Sequence, residues 1–127
     1  MSSLRAVFAS IVLLGLGAPS AVLAHDTMKP SHGGQVVMSG ETLFELVAAG
    51  SDATLYVTQD DEPVDGTKMT AKLTFTAAGK KQEVALTSAG DNKFQGKGAT
   101  IPKGTSVNIL LINKATLART FATITAQ

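Results

Sequence analysis

Residues 68–76, KMTAKLTFT, are the segment that most clearly indicates the fold. Every second residue in it is apolar, and the residues between them are lysine or threonine. The apolar set comprises Met69, Ala71, Leu73 and Phe75. Successive side chains of a β-strand point to opposite faces of a sheet, so this alternation predicts a strand with one buried and one solvated face.

Similar segments lie on both sides of this strand. They are residues 35–38, 42–48, 53–59, 81–86, 93–95, 105–113 and 117–125. Stretches rich in Gly, Asn, Asp and Pro separate them, as expected of turns, and a helical period is nearly absent. Short strands spaced by about 8–12 residues are typical of a sandwich or barrel. We therefore predict an all-β fold over residues 35–127, an antiparallel immunoglobulin-like β-sandwich of about seven strands.

The first 24 residues have the three-part layout of a secretory signal. A short start carries Arg5, residues 6–16 are mostly apolar, and Val22-Leu23-Ala24 provides a cleavage site. The apolar run is shorter than the roughly 20 residues that span a bilayer. We predict a signal peptide over residues 1–24, a periplasmic protein, and no membrane insertion after cleavage.

Composition excludes several classes of function. The chain has no cysteine, so disulfides, thiolate metal sites and cysteine nucleophiles are absent. Of its eleven basic residues only Arg5 precedes residue 25, so the remainder balances its ten acidic residues. Such a surface has no long-range attraction for nucleic acid, and we predict no nucleic-acid partner.

The candidate chemistry lies in residues 25–34, HDTMKPSHGG, which show no periodicity and are predicted to form a flexible N-terminal arm. Both histidines of the chain, His25 and His32, are here. After cleavage, the amine and imidazole of His25 could chelate one metal ion, with His32, Met28 and Asp26 as further ligands. Amine and imidazole suit Cu(II), and thioether suits Cu(I). The alternative is a polar arm whose histidines bind nothing.

Other candidates favour structural roles. The acidic stretch of residues 60–66, DDEPVDG, lacks the ligand pattern of a calcium loop and is predicted to be a solvated inter-strand loop. Met69 is predicted to pack in the core. Met38 ends a strand and could approach the arm, although packing is the favoured interpretation.

Catalysis has little support in the sequence. A hydrolytic triad needs a rigid base beside a nucleophile, and both histidines lie in the predicted arm. No paired-carboxylate, phosphate-loop or dinucleotide motif is present. We predict that the protein is not an enzyme.

Four landmarks carry a family resemblance: HGGQV at residues 32–36, FELV at 44–47, LYVT at 55–58 and EPV at 62–64. The chain resembles small exported β-domains associated with bacterial heavy-metal efflux. It is similar to the N-terminal β-domain of some periplasmic efflux adaptors, and to YtkA-like and CopC-like copper-resistance sandwiches. The similarity is clearest over residues 32–75.

The resemblance implies an immunoglobulin-like sandwich in the periplasm, with copper as the ligand and a metal-efflux component as the partner. An N-terminal histidine can bind copper in the copper-resistance sandwiches, and His25 matches that position after cleavage. This chain departs from them because its sandwich body has no histidine. The alternative function is a metal-free envelope accessory domain that docks to a partner by a strand edge or loop.

Overall fold

The computed structural model describes residues 29–127, which form nine β-strands and one short 3-10 turn at Gly66–Lys68. The strands are β1 (Gln35–Ser39), β2 (Thr42–Ala49), β3 (Asp52–Gln59), β4 (Glu62–Pro63), β5 (Met69–Ala77), β6 (Lys80–Ser88), β7 (Lys93–Lys97), β8 (Ser106–Asn113) and β9 (Arg119–Thr125). The predicted signal peptide lies outside the described residues. Among the described residues, no helix meets the length and hydropathy needed to span a bilayer.

All strand pairs are antiparallel, and the order along the sheet is β1-β2-β3-β7-β6-β5-β8-β9, with β4 paired to β3. The end strands β1 and β9 run beside each other without pairing, so the sheet is nearly closed into a barrel. The predicted antiparallel all-β class is confirmed. The described strands number nine rather than about seven, and the two-layer immunoglobulin-like arrangement stays a prediction.

The core follows the alternation read from the sequence. In β5, Ala71, Leu73 and Phe75 are buried, and Met69 is partly buried against them. The fully buried large side chains come from five strands, and they are Phe44, Leu55, Val57, Leu73, Phe94, Val107, Ile109 and Leu111. Burial of this apolar surface is the main favourable term for a domain without disulfides.

The acidic stretch builds a turn and a cap. Asp60 and Asp61 have φ angles of 51° and 62°, the sign that a two-residue type I′ hairpin turn requires, and Gln59 pairs with Glu62 across it. Asp65 caps the 3-10 turn by accepting from the Thr67 backbone N–H at 3.0 Å. The hydroxyl of Thr67, then its backbone N–H, lower the pKa of Asp65.

Two differences from the sequence prediction have a clear physical cause. Strand β4 was not predicted, because Pro63 disfavours a strand; the structure accommodates this proline on the edge of β3 beyond the residues that pair with β7. The last strand begins at Arg119 rather than Leu117, because Leu117 has a φ of 61° in the preceding turn. The side chain of Asn113 organises that turn by accepting from the backbone N–H groups of Ala115 and Thr116.

Candidate functional site

The candidate site is centred on Glu45, in the middle of β2. Its neighbours Phe44 and Leu46 point into the core, so Glu45 belongs to the outer face, where it pairs with Val36 in β1 and Tyr56 in β3. An outward-facing glutamate is normally exposed, yet Glu45 is only 5% exposed. Burying a carboxylate is costly unless hydrogen bonds replace the lost water. The residues that cover Glu45 therefore define the site.

The cover is residues 31–34, which we name the 31–34 loop. The Oε1 atom of Glu45 accepts from the Ser31 backbone N–H at 3.1 Å and lies 2.9 Å from Nδ1 of His32. The Oε2 atom accepts from the backbone N–H groups of His32 at 2.8 Å and Gly34 at 3.0 Å. Hydrogen bonds to an ionised carboxylate are stronger than those between neutral groups. These hydrogen bonds attach the 31–34 loop to β2, although its residues belong to the segment predicted from the sequence to be a flexible arm.

The carboxylate of Glu45 is ionised in this environment. Burial on its own would raise its pKa. Hydrogen bonds from the His32 ring and from the backbone N–H groups of Gly34, His32 and Ser31 outweigh burial, so the pKa of Glu45 lies below its usual value. A negative charge therefore sits under the 31–34 loop at neutral pH.

The imidazole of His32 is fixed in two directions. Its edge meets Glu45, and its face stacks on the ring of Tyr56, with centroids 3.5 Å apart and planes 1° from parallel. The side chain is still 44% exposed. Within residues 29–127 no hydrogen bond reaches its Nε2 atom.

Gly34 allows the close approach of the loop to β2. A Cβ atom at this position would lie 2.8 Å from Cγ2 of Val47 and closer still to the carbonyl oxygen of Leu46. Gly33 has a φ of 74°, which glycine adopts without strain. The Gly-Gly pair is thus the part of the HGG motif that seats His32 over Tyr56.

The predicted metal ligands divide into two groups. His25, Asp26 and Met28 lie outside the described residues, and His32 is placed by the contacts above. Residues 29–127 contain no group of three or more His, Asp or Glu side chains arranged to hold a metal ion. Met38 lies on the outer face of β1, two residues beyond Val36, and is 45% exposed.

Sequence reasoning missed Glu45 and Tyr56. The available signal was a single charged residue inside the apolar segment LFELV, residues 43–47. Its burial could not be inferred because Glu45 alternates correctly for the solvent face. Only the pairing of β2 with β1 and β3 brings His32 and Tyr56 to it.

A second exposed surface lies on the outer face of β8 and β9. Phe121 pairs across with Leu110 and is 62% exposed, while Leu117 in the adjoining turn is 71% exposed. Two basic residues flank this surface in register, Lys72 opposite Leu110 and Arg119 opposite Ile112, and the ammonium of Lys72 lies 3.8 Å from the Glu83 carboxylate. Large apolar side chains grouped on a surface are a feature of interaction sites.

Comparison of the chain with protein-family models, curated proteins and solved structures gave no match. The described residues form an antiparallel, nearly closed β-domain that holds the imidazole of His32 on its surface through the buried carboxylate of Glu45.

Proposed function

We propose that this chain is a periplasmic, non-enzymatic metal-binding protein with copper as its ligand, acting in metal homeostasis or efflux. The observation that carries the proposal is the hydrogen bond of 2.9 Å between His32 Nδ1 and Glu45 Oε1. Histidines that bind metals through one ring nitrogen usually donate the other N–H to a carboxylate or carbonyl. His32 has this arrangement already, with Nε2 on a partly exposed ring.

The other donors of the proposed site come from the N-terminal side of the loop. After cleavage at residue 24, His25 offers an amine and an imidazole, and Met28 and Asp26 offer a thioether and a carboxylate. Nitrogen donors of this kind suit Cu(II). His32 supplies a donor whose position is set before the metal arrives, which reduces the ordering cost of binding.

The test is a Cu(II) titration of the exported protein after mass spectrometry has located its N-terminus. We expect one-to-one binding that His32→Ala weakens and that Lys29→Ala, a matched change at an exposed neighbour, leaves intact. A free peptide of residues 25–34 has the same donors without Glu45 and Tyr56. Binding by the protein no tighter than by this peptide would contradict the proposal.

A second candidate function is a metal-free accessory domain that docks to a periplasmic metal-efflux component. The exposed side chains of Phe121 and Leu117 favour it, and the neighbouring Arg119 suits a partner surface with an acidic residue beside an apolar one. Phe121→Ser would then abolish binding to the purified efflux adaptor of the same organism, and Thr125→Ser would not. Loss of adaptor binding in His32→Ala instead would favour the metal-binding function.

We also propose that the barrel wall divides into the two layers of an immunoglobulin-like sandwich. Support comes from β6, which pairs with β5 from Lys80 to Leu86 but with β7 only at Thr87 and Ser88. The other boundary would lie between β1 and β9, which do not pair with each other. Backbone amide hydrogen exchange measured by NMR tests this proposal. Rapid exchange at the β6–β7 junction would support two layers, whereas amides there as protected from exchange as those of β2 would indicate one continuous sheet.

A further inference from the structure

We infer that Glu45 is a positioning residue that keeps a proton on Nδ1 of His32, so that Nε2 is the ring nitrogen left to act as the donor atom. The assignment of a tautomer follows from the contacts of the apo protein. The statement that Nε2 donates to a metal rests on the proposed function.

The four hydrogen-bonding partners of the Glu45 carboxylate determine which ring nitrogen of His32 carries a proton. Three of its four partners are the backbone N–H groups of Ser31, His32 and Gly34, which can only donate. An ionised carboxylate can only accept. The ring nitrogen 2.9 Å from Oε1 must therefore carry a proton, and in a neutral imidazole the other nitrogen then has a free lone pair.

Two contacts fix the orientation of the His32 ring. The stack on Tyr56 fixes the ring plane, and the hydrogen bond to Glu45 fixes the rotation within that plane. A flipped ring would present carbon to Oε1 and leave the buried carboxylate one donor short. The 31–34 loop reinforces the same orientation, because the backbone N–H of His32 binds the other carboxylate oxygen at 2.8 Å.

The carboxylate of Glu45 would also affect a cation bound at Nε2 of His32. A positive charge at Nε2 makes the Nδ1 proton more acidic, and the adjacent carboxylate stabilises that polarised N–H. Loss of such a partner typically lowers metal affinity about 10–100-fold. Glu45 thus acts through His32 and touches no metal itself.

Glu45→Gln is an informative variant, because it replaces one acceptor oxygen of the carboxylate by an NH₂ donor with little change in the shape of the side chain. A glutamine oxygen that accepts from the His32 and Gly34 backbone N–H groups leaves its NH₂ facing both Nδ1 and the Ser31 backbone N–H, which loses its acceptor. That NH₂ donates, so the ring should shift toward the tautomer with its proton on Nε2. Glu41→Gln makes the same chemical change at an exposed position and is the matched control.

The experiment is long-range ¹H–¹⁵N NMR of the His32 ring in the metal-free protein, followed by Cu(II) titration of the same samples. We expect an Nδ1-protonated ring in the wild type and in Glu41→Gln, a shift toward Nε2 in Glu45→Gln, and roughly 10–100-fold weaker copper binding by Glu45→Gln. The wild-type spectrum needs no variant, so the inference stays testable if Glu45→Gln folds poorly.

Two results would overturn the inference: an Nε2-protonated ring in the wild type, or a Glu45→Gln protein with the wild-type tautomer and affinity. A wild-type protein with the expected tautomer and no copper binding would support the positioning role of Glu45 and contradict the proposed metal function. The failures of the two proposals are therefore distinguishable.

Discussion

The Nδ1 atom of His32 lies 2.9 Å from Oε1 of Glu45, thirteen residues further along the chain. The contact joins the segment before β1 to the middle of β2, across the β1–β2 hairpin. It occupies one of the four hydrogen-bonding positions on a carboxylate whose other three hold the 31–34 loop. One buried charge thus holds both the loop and its imidazole.

Removing the carboxylate should release the loop. In Glu45→Ala the backbone N–H groups of Ser31, His32 and Gly34 lose their acceptor, and we expect the free energy of unfolding to fall by about 1–3 kcal/mol. Urea unfolding followed by circular dichroism measures this change. The control Glu41→Ala should stay within about 0.5 kcal/mol of wild type. Equal stabilities for the two variants would contradict the role of Glu45.

The stability of the protein should depend on pH through Glu45. Its pKa is lower in the folded than in the unfolded chain, so the folded state binds fewer protons across the interval between the two values. The contribution of Glu45 is therefore fully present above the unfolded pKa near 4.5 and is lost as the pH falls through the lower folded value.

Glu45→Gln isolates this contribution, because Asp65 also has a lowered pKa and remains in both proteins. Unfolding free energies measured at a series of pH values should give a difference between wild type and variant that shrinks as the solution is acidified. A difference independent of pH would show that Glu45 is not held ionised by the loop.

Gly34 should not tolerate a side chain. In Gly34→Ala the new Cβ would press on the Leu46 carbonyl and on Val47 at 2.8 Å, and backbone cannot rotate away as a side chain can. We expect a loss of about 1–3 kcal/mol and faster amide exchange in the 31–34 loop. Gly40→Ala is the control, because its Cβ meets open space although its φ of 58° carries some strain. Exchange in the loop should stay at the wild-type rate in Gly40→Ala.

Phe121 should contribute little to folding. Its side chain is largely exposed, so Phe121→Ser should change the unfolding free energy by no more than about 0.5 kcal/mol. Phe94→Ala, at a fully buried position, should cost about 3–5 kcal/mol. Thermal or urea unfolding of the two variants compares them directly. A large decrease in unfolding free energy in Phe121→Ser would show that the outer face of β8 and β9 contributes to the stability of the fold and is not a free surface.

Local patterns in the sequence were sufficient for the strands. The alternation in residues 68–76 predicted β5 and its buried face, and each of the other predicted segments overlaps an observed strand. These predictions succeed because the two-residue period of a strand is a property of neighbouring residues. The acidic hairpin with β4 was missed, because the backbone conformation at Asp60 and Asp61 is uncommon for residues other than glycine.

The residue pattern alone was enough to predict an antiparallel β-domain and to identify His32 as a residue capable of chemistry. The residues that hold His32 became evident from the three-dimensional fold. Pairing of β2 with β3 places Tyr56 beside Glu45, and the turn at Gly33 and Gly34 brings the imidazole down onto both. Register and loop closure join residues far apart in the chain, and no short-range pattern encodes them.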